Sequence, residues 1–479
     1  MKVKLDYGSA GLVVDLPPDC EVIRPADAPC LPDVIGALRQ AVRQPVAGPP
    51  LADLAREVLR RAAAEGGRAP RVAIAVCDST RPHPRREVLQ VFLEELAAAG
   101  AGESGVAQAG GTAEGHAPAE SAAATAPPGT KPPADHLDLD ITVIIATGTH
   151  RADPPELIRE MLGEEVIRCC QVHVHDCRQS SDHTPLGVVS PLGDGGDIPV
   201  ALDRLWVEAD LRLSSGLVEP HLFAGFSGGP KLVSPGVASL ETVLALHNGR
   251  RVGHPSATWG ILAGNPAHDA IRAVAETCPP HFTLEVVLDS AKRVTHAFAG
   301  LPWSAHARAC KVAHRTTMHP VEHRFPLVIT TSGGYPLDQN LYQAIKGVSA
   351  AERIVADGGT IILAAECRHG LPDPAMYNDL LRPGEDIRLA NARILASEQV
   401  VPDQWQVQVQ ARILARARVL VKASGLAAAD LALARMEPVE DIEAFVKAAR
   451  RADPGLPIAV LPHGPYCVPY FAEEILIRS

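Results

Sequence analysis

The sequence predicts an α/β fold of two domains with mainly parallel sheets. Three observations carry that expectation. Unbroken apolar runs such as RVAIAVC (71–77), DITVIIA (140–146), PLVITTS (326–332) and GTIILAA (359–365) suit strands buried on both faces. Helical periodicities lie between them, the alternation that builds parallel sheets. The chain has 479 residues, 46% hydrophobic and 21% charged, enough for more than one core.

Taken in order, residues 1–25 read as a hairpin: KVKLDYG, a turn, then GLVVDLP. Residues 31–66 carry helical periodicity divided by Pro49 and Pro50, and LADLAREVLRRAAAEG is an amphipathic helix ending at Gly66 and Gly67. The run 71–77 is the first buried strand; it ends in Asp78-Ser79-Thr80-Arg81-Pro82 before the helix REVLQVFLEELAAAG. Residues 100–138 change character to Ala, Gly, Pro and Thr, with almost no large apolar side chain. Such a stretch buries too little surface to offset its ordering entropy, and it reads as a disordered insertion in a βαβ unit. The run 140–146 resumes the fold and ends in Thr147-Gly148-Thr149-His150-Arg151; PPELIREMLG then opens a helix with prolines at its start. Further strands are expected at 171–175 and 210–215. After the helix-like SAHARACKVAHR a second series begins, with strands at 326–332, 359–365, 418–424 and 457–464. The expected domains are 1–312 and 313–479, the last twenty residues or so being free to pack back on the first.

A net charge of −11 with no basic aromatic stripe argues against a nucleic-acid surface. The ten cysteines form no CxxC pair and read as small buried hydrophobes of a reducing compartment. No run of eighteen apolar residues and no signal-peptide core is present, so a cytoplasmic protein without a membrane span is expected.

The chemistry concentrates in 216–250, GLVEPHLFAGFSGGPKLVSPGVASLETVLALHNGR, where His221, Lys231 and His247 stand ten and sixteen residues apart. Gly225, Ser227, Gly228 and Gly229 lie between the first two, and small residues let backbone approach a ligand and aim N–H groups at an anion. A lysine ending such a loop can pair with phosphate or, desolvated, act as a nucleophile. The plain alternative is a turn, a solvated lysine and two core histidines.

Other motifs end strands, where open parallel sheets bind ligands. Arg81 can hold a carboxylate or phosphate bidentately, or simply pair with Asp78 to stabilise a turn. His150, on a Gly-containing turn, is placed for proton transfer, or else caps a helix. His247 could ligate a transition metal only if other ligands came from elsewhere, for example from a cofactor. In YQAIK, Tyr342 and Gln343 share a helix face with Lys346, which could neutralise an anionic substrate or lie solvated on the surface. Trp405 could wall a pocket or simply pack. His173 and His175, in HVHD with Asp176, share a strand face; no third metal ligand is identifiable, which favours a structural or outer role.

Together, DSTRP (78–82), ATGTHR (146–151), EPHLFAGFSGGPKLVSPG (219–236), LHNGR around His247 and YQAIK (342–346) resemble the nickel-dependent lactate racemase family. The resemblance spans nearly the whole chain except 100–138. It implies an active-site cleft between the domains and a nickel-pincer nucleotide, a pyridinium mononucleotide holding nickel through a carbon and two sulfurs. It implies that Lys231 bears this cofactor through a thioamide link, that His247 supplies the remaining nickel ligand, and that Asp78, Arg81, Ser227, Gly228 and Gly229 help hold the cofactor. His150 and His221 match the catalytic acid/base pair. Arg81 and Lys346 match substrate-binding positions with Asp78 orienting Arg81, and Tyr342, Gln343 and Trp405 line the pocket. The implied activity is racemisation or epimerisation of a 2-hydroxy acid by hydride transfer through a 2-keto acid, with separate maturation enzymes installing the cofactor. Two rivals stay open: a Schiff-base lyase or aldolase using Lys231, and a non-catalytic phosphate- or nucleotide-binding module. The loop SGGPKL lacks the GxxxxGK[ST] spacing, which makes ATP a poor fit for the second.

Overall fold

The computed structural model describes residues 1–26, 28–66, 68–101, 139–191 and 195–471. The insertion expected at 100–138 lies outside the described residues from 102 onward. Two six-stranded sheets carry the fold. The first runs in the order Val294–Gly300, Phe282–Leu288, Leu211–Leu217, Arg71–Cys77, Asp140–Ala146, Gln171–Val174, all parallel except the antiparallel edge Val294–Gly300. The second runs Glu437–Pro438, Arg418–Lys422, Val355–Ala364, Phe325–Thr331, Ile458–Leu461, Glu21–Val22, parallel throughout. The α/β architecture with mainly parallel sheets is thus as the sequence predicts.

Strand Arg71–Cys77 shows why these runs lack polar alternation. Val72, Ile74 and Val76 face a core shared with helices Val34–Arg43, Leu51–Gly66 and Arg85–Ala101. Ala73 and Ala75 face the opposite core, which continues to Val328 and Ile361 of the second sheet. Successive side chains enter different cores, so every position must be apolar. Small alanines on the shared side let the layers approach closely.

The chain begins on the second sheet. Hairpin Lys2–Leu5 with Leu12–Asp15 inserts Val3, Leu5 and Val14 against Leu327, Ile329 and Ile362, and Glu21–Val22 then extends that sheet. Near the other end, Val468–Phe471 pairs with Met318–Val321, and residues 472–479 lie outside the described residues. No helix among the described residues is long and apolar enough to cross a membrane.

Two topological features position a site. In the first sheet, the connections diverge between Arg71–Cys77 and Leu211–Leu217, leaving a crevice at their carboxyl ends. Helix Leu341–Glu352, which follows strand Phe325–Thr331, brings the second unit to the same place.

Candidate active site

A cavity of about 140 Å³ opens at that crevice. Asp78, Arg81, His150 and His221 line it from strand ends of the first sheet, joined by Ser227, Gly228, Lys231 and His247. Tyr342, Gln343 and Lys346 reach it from helix Leu341–Glu352, and Trp405 from helix Gln404–Leu414. Of the residues expected at the site, Gly229 alone does not line the cavity.

Asp78 is buried, and its carboxylate accepts a bond from His150 Nδ1 at 2.6 Å and from the Thr80 hydroxyl at 2.6 Å. Burial alone would raise its pKa; the His150 ring and the Thr80 hydroxyl outweigh that and hold it well below the usual carboxylate range. Asp78 was expected to orient Arg81, but its direct partner is His150. The link to Arg81 runs through Thr80 Oγ1, which accepts from the guanidinium at 3.2 Å. Arg81 instead pairs with Glu219, 3.3 Å away. An ionised Asp78 requires Nδ1–H on His150, which leaves Nε2 as the ring's free nitrogen.

His221 is arranged the opposite way. It sits in Pro220–His221, the first strand of a tight hairpin with Gly225–Phe226, and its Nδ1 accepts from the backbone N–H groups of Phe223 (3.4 Å) and Ala224 (3.3 Å). A neutral ring so held carries its proton on Nε2. Burial, then Lys231, Lys346 and Arg81, push its pKa well below the ordinary histidine value. The two imidazoles therefore rest as unlike partners, one oriented as a base and one as an acid.

Lys231 rides on the short 3-10 helix Gly229–Leu232, its ammonium 5.8 Å from the centroid of Phe223. Burial, with Arg81 adding to it, lowers its pKa to about 7, so a large fraction is free amine at neutral pH. His247 caps the C-terminus of helix Leu240–Leu246. Its Nδ1 lies 2.7 Å from the Val243 carbonyl, an acceptor only, which leaves the Nε2 lone pair for a ligand. Burial lowers its pKa to about 3, so the ring is neutral. Trp405 packs over it with ring centroids 4.1 Å apart.

Trp405 Nε1 in turn donates to the Tyr342 hydroxyl at 2.9 Å, which locks both rings. Lys346 donates to Gln343 Oε1 at 2.6 Å. Burial, then Arg81, pushes Lys346 well below its ordinary value, against the pull of Glu219 and Asp78.

The glycine loop differs from an anion cradle. Ser227 N–H goes to the Glu219 carbonyl, Lys231 N–H to the Gly228 carbonyl, and Gly229 N–H to Glu285 Oε1 at 2.9 Å. The Ser227 hydroxyl donates to the Leu217 carbonyl at 2.7 Å. Glycine is required here for close packing: a Cβ on Gly228 would stand 2.6 Å from Glu285 Oε2, and one on Gly229 would collide with the His306 ring.

Sequence reasoning missed three acidic residues. Glu219, the partner of Arg81, lies inside a recognised motif without any sign of its role. Glu285 is fully buried, with Oε2 unpartnered, and burial raises it to about 7. Asp403 adopts a left-handed backbone (φ 67°), uncommon for a non-glycine residue. Burial raises its pKa, against the opposing pull of His150 and the Tyr342 hydroxyl.

Fold and site together define a mainly parallel α/β protein with a buried amine, two proton-carrying imidazoles and a third histidine suited to a metal, all at a topological switch point. Family models described as the lactate racemase N-terminal and C-terminal domains match residues 7–123 with 134–260 and residues 322–468. The chain belongs to the lactate racemase family. It is 37% identical over 275 residues to the lactate racemase of Thermoanaerobacterium thermosaccharolyticum, covering 56% of this chain and 62% of that protein. It is 36% identical over 273 residues to that of Lactiplantibacillus plantarum, covering 57% and 63%. Each match spans less than two thirds of the relative's length. The solved lactate racemase apoprotein from T. thermosaccharolyticum superposes with a TM-score of 0.80 at 29% identity, over 98% of this chain and all of that one. A Thermotoga maritima structure shares the fold at a TM-score of 0.59 and 18% identity, covering 88% and 98%.

Proposed function

We propose that this chain is an isomerase that inverts the hydroxyl-bearing carbon of a 2-hydroxy acid, lactate or a related substrate. The observation that carries this reading is the unlike pair His150 and His221 on one cavity, beside Arg81 and Lys346. Inversion through a planar 2-keto acid needs a proton acceptor for one enantiomer's hydroxyl and another for its mirror image. His150, oriented by Asp78, accepts the hydroxyl proton of one enantiomer at Nε2; on the other face His221, once its ring holds a second proton, returns one from Nε2 and is left neutral. Direction reverses when the two rings exchange protonation. Arg81 and Lys346 hold the substrate carboxylate, while Tyr342, Gln343 and Trp405 enclose it.

The residues fit a nickel-pincer nucleotide. His247 offers Nε2 of a neutral ring whose other nitrogen is fixed on a carbonyl. Lys231 is a buried amine whose pKa is lowered to about 7, able to carry a thioamide link. When bound, the group supplies a reversible acceptor for the substrate's α-hydrogen with its electron pair. Dedicated maturation enzymes install it, and the absence of disulfides among the ten cysteines suits a cytoplasmic setting.

The test is protein produced with maturation enzymes, checked for a Lys231 adduct by mass and for nickel, then given enantiopure 2-hydroxy acids. Loss of stereochemical purity, abolished in His150→Asn and His221→Asn, is expected. A nickel-loaded protein that scrambles none of the panel would overturn the reading. The lowered pKa of Lys231 also suits a Schiff-base lyase; borohydride trapping of a carbonyl substrate on Lys231 would favour that chemistry instead.

A further inference from the structure

A second histidine cluster lies outside the pocket, where strand Gln171–Val174 meets the hairpin His183–Val189 with Ile198–Asp203. His173 Nε2 and His175 Nδ1 stand 2.8 and 3.0 Å from the same oxygen, Oδ2 of Asp203. The three ligand atoms lie within 4.8 Å of one another. His175 and Asp203 are buried, while the His173 side chain keeps 25% of its surface.

Three further contacts distinguish this cluster from an ordinary ion pair. His175 Nε2 lies 3.1 Å from the Ala238 carbonyl, which can only accept, so Nε2 bears a proton. This is the arrangement of a ligating histidine: Nδ1 can give its lone pair to an ion beside Asp203 Oδ2, while Nε2–H stays on a backbone carbonyl, the usual outer partner. Asp203 Oδ1 is fixed by the Leu205 N–H at 3.0 Å, leaving Oδ2 for the cation. Finally, His183 pairs with Asp203 across the hairpin, and its ring stands edge-on to His175 at 5.2 Å. His183 Nδ1 faces the Gln179 carbonyl, and its buried Nε2 has no hydrogen-bond partner.

We propose that His173, His175 and Asp203 form a second metal site, for one divalent ion of the zinc class, with the unpartnered Nε2 of His183 as donor for a fourth position. Two or three imidazoles and one carboxylate suit Zn²⁺ in a tetrahedral shell. The site is separate from His247 and does not depend on the proposed racemase chemistry. Its role is to brace the pocket from outside. The His175 carbonyl accepts the Thr147 hydroxyl at the base of the His150 turn, and its ring holds Ala238, beyond the Lys231 loop.

The experiment uses full-length protein made without maturation enzymes and stripped with a chelator. Calorimetric titration with Zn²⁺, and Co²⁺ followed by visible absorption, should each show one tight equivalent with a tetrahedral Co²⁺ spectrum. His173→Gln, at a part-exposed position, should weaken Zn²⁺ binding by at least about tenfold, since losing a ligand costs no less than losing an outer partner. His247→Gln should bind as wild type. Acylation of histidines in the wild-type protein, read by peptide mass, needs no variant: Zn²⁺ should protect His173 and leave His150 reactive. Absence of a tight equivalent, or binding lost in His247→Gln and kept in His173→Gln, or no protection of His173, would overturn the proposal.

Discussion

Lys231 carries a charge penalty that can be measured without cofactor or substrate. Burial and then Arg81 bring it from 10.5 to about 7. At about 1.36 kcal/mol per pKa unit, the charged folded form carries a cost on the order of 5 kcal/mol, or about 3–4 kcal/mol once its partial contact with pocket water is allowed for. The folded pKa lies below the unfolded one, so the folded state binds fewer protons between pH 7 and 10.5. The cost is therefore absent above about pH 10.5, grows as pH falls, and is complete below about pH 7. Lys231→Met keeps the stem and removes the charge. It should be more stable than wild type by about 3 kcal/mol at pH 6, with less than half that gain at pH 9. Urea denaturation of both cofactor-free proteins at several pH values measures this. Acetylation of Lys231, followed by peptide mass, should reach half its limiting rate near pH 7, well before the surface lysines. A pH-independent difference between the two proteins, with Lys231 acetylating in step with the surface lysines, would refute the reasoning.

Asp78→Asn should lower kcat of the loaded enzyme by about 10²–10⁴-fold with little change in KM, by analogy with loss of the tautomer-fixing carboxylate in hydrolytic triads; chiral chromatography of the product pool checks it, and a loss under tenfold would contradict it. Glu285 has a folded pKa of about 7 against 4.5 unfolded, so its ionisation destabilises the fold as pH rises through that window. Glu285→Gln should match wild type at pH 4.5 and exceed it by up to about 3 kcal/mol at pH 8 in urea denaturation. Binding of a 2-hydroxy carboxylate at pH 8 should take up protons, because an anion in the pocket restores the ammonium form of Lys231, whose pKa is lowered to about 7. Calorimetry in two buffers of different ionisation enthalpy measures the uptake, and Lys231→Met should diminish it.

Much of the fold is legible because strands buried on both faces write an unbroken apolar run. Arg71–Cys77 and Asp140–Ala146 fall where the sequence places them, and the strands expected at 210–215 and 326–332 appear as Leu211–Leu217 and Phe325–Thr331. Edge pairings are illegible: Glu21–Val22 is two residues long, and its partner Ile458–Leu461 lies at the far end of the chain. The polar site residues were findable because they end strands in compact motifs. Their partners were not. Glu285 sits in FTLEVVL, where alternation suggests a solvent-facing side chain, yet it is fully buried. HVHD suggests Asp176 as the carboxylate beside the histidines; Asp176 accepts from Arg178 N–H instead, and Asp203 arrives from another hairpin. The SGG segment reads as an anion loop, whereas its glycines answer to Glu285 and His306, residues no local pattern can reveal.

The charge balance of the pocket explains why these pieces belong together. Arg81, Lys231 and Lys346 converge on one cavity, and the acids near them are otherwise engaged: Asp78 with His150, Glu219 with Arg81. Burial and then like charges depress both lysines, and burial with the same field lowers His221. A pocket so built disfavours cations and awaits an anion, whose carboxylate would offset the repulsion that the fold sustains. The neutral imidazoles matter equally. A protonated His221 would add to the positive charge already gathered at Arg81 and the lysines, which its lowered pKa disfavours. Beside His150 the ionised Asp78 carboxylate stands 2.6 Å from Nδ1 as a local counter-charge. The asymmetry between the two histidines therefore follows from what each Nδ1 faces: the Asp78 carboxylate for His150, two backbone N–H groups for His221.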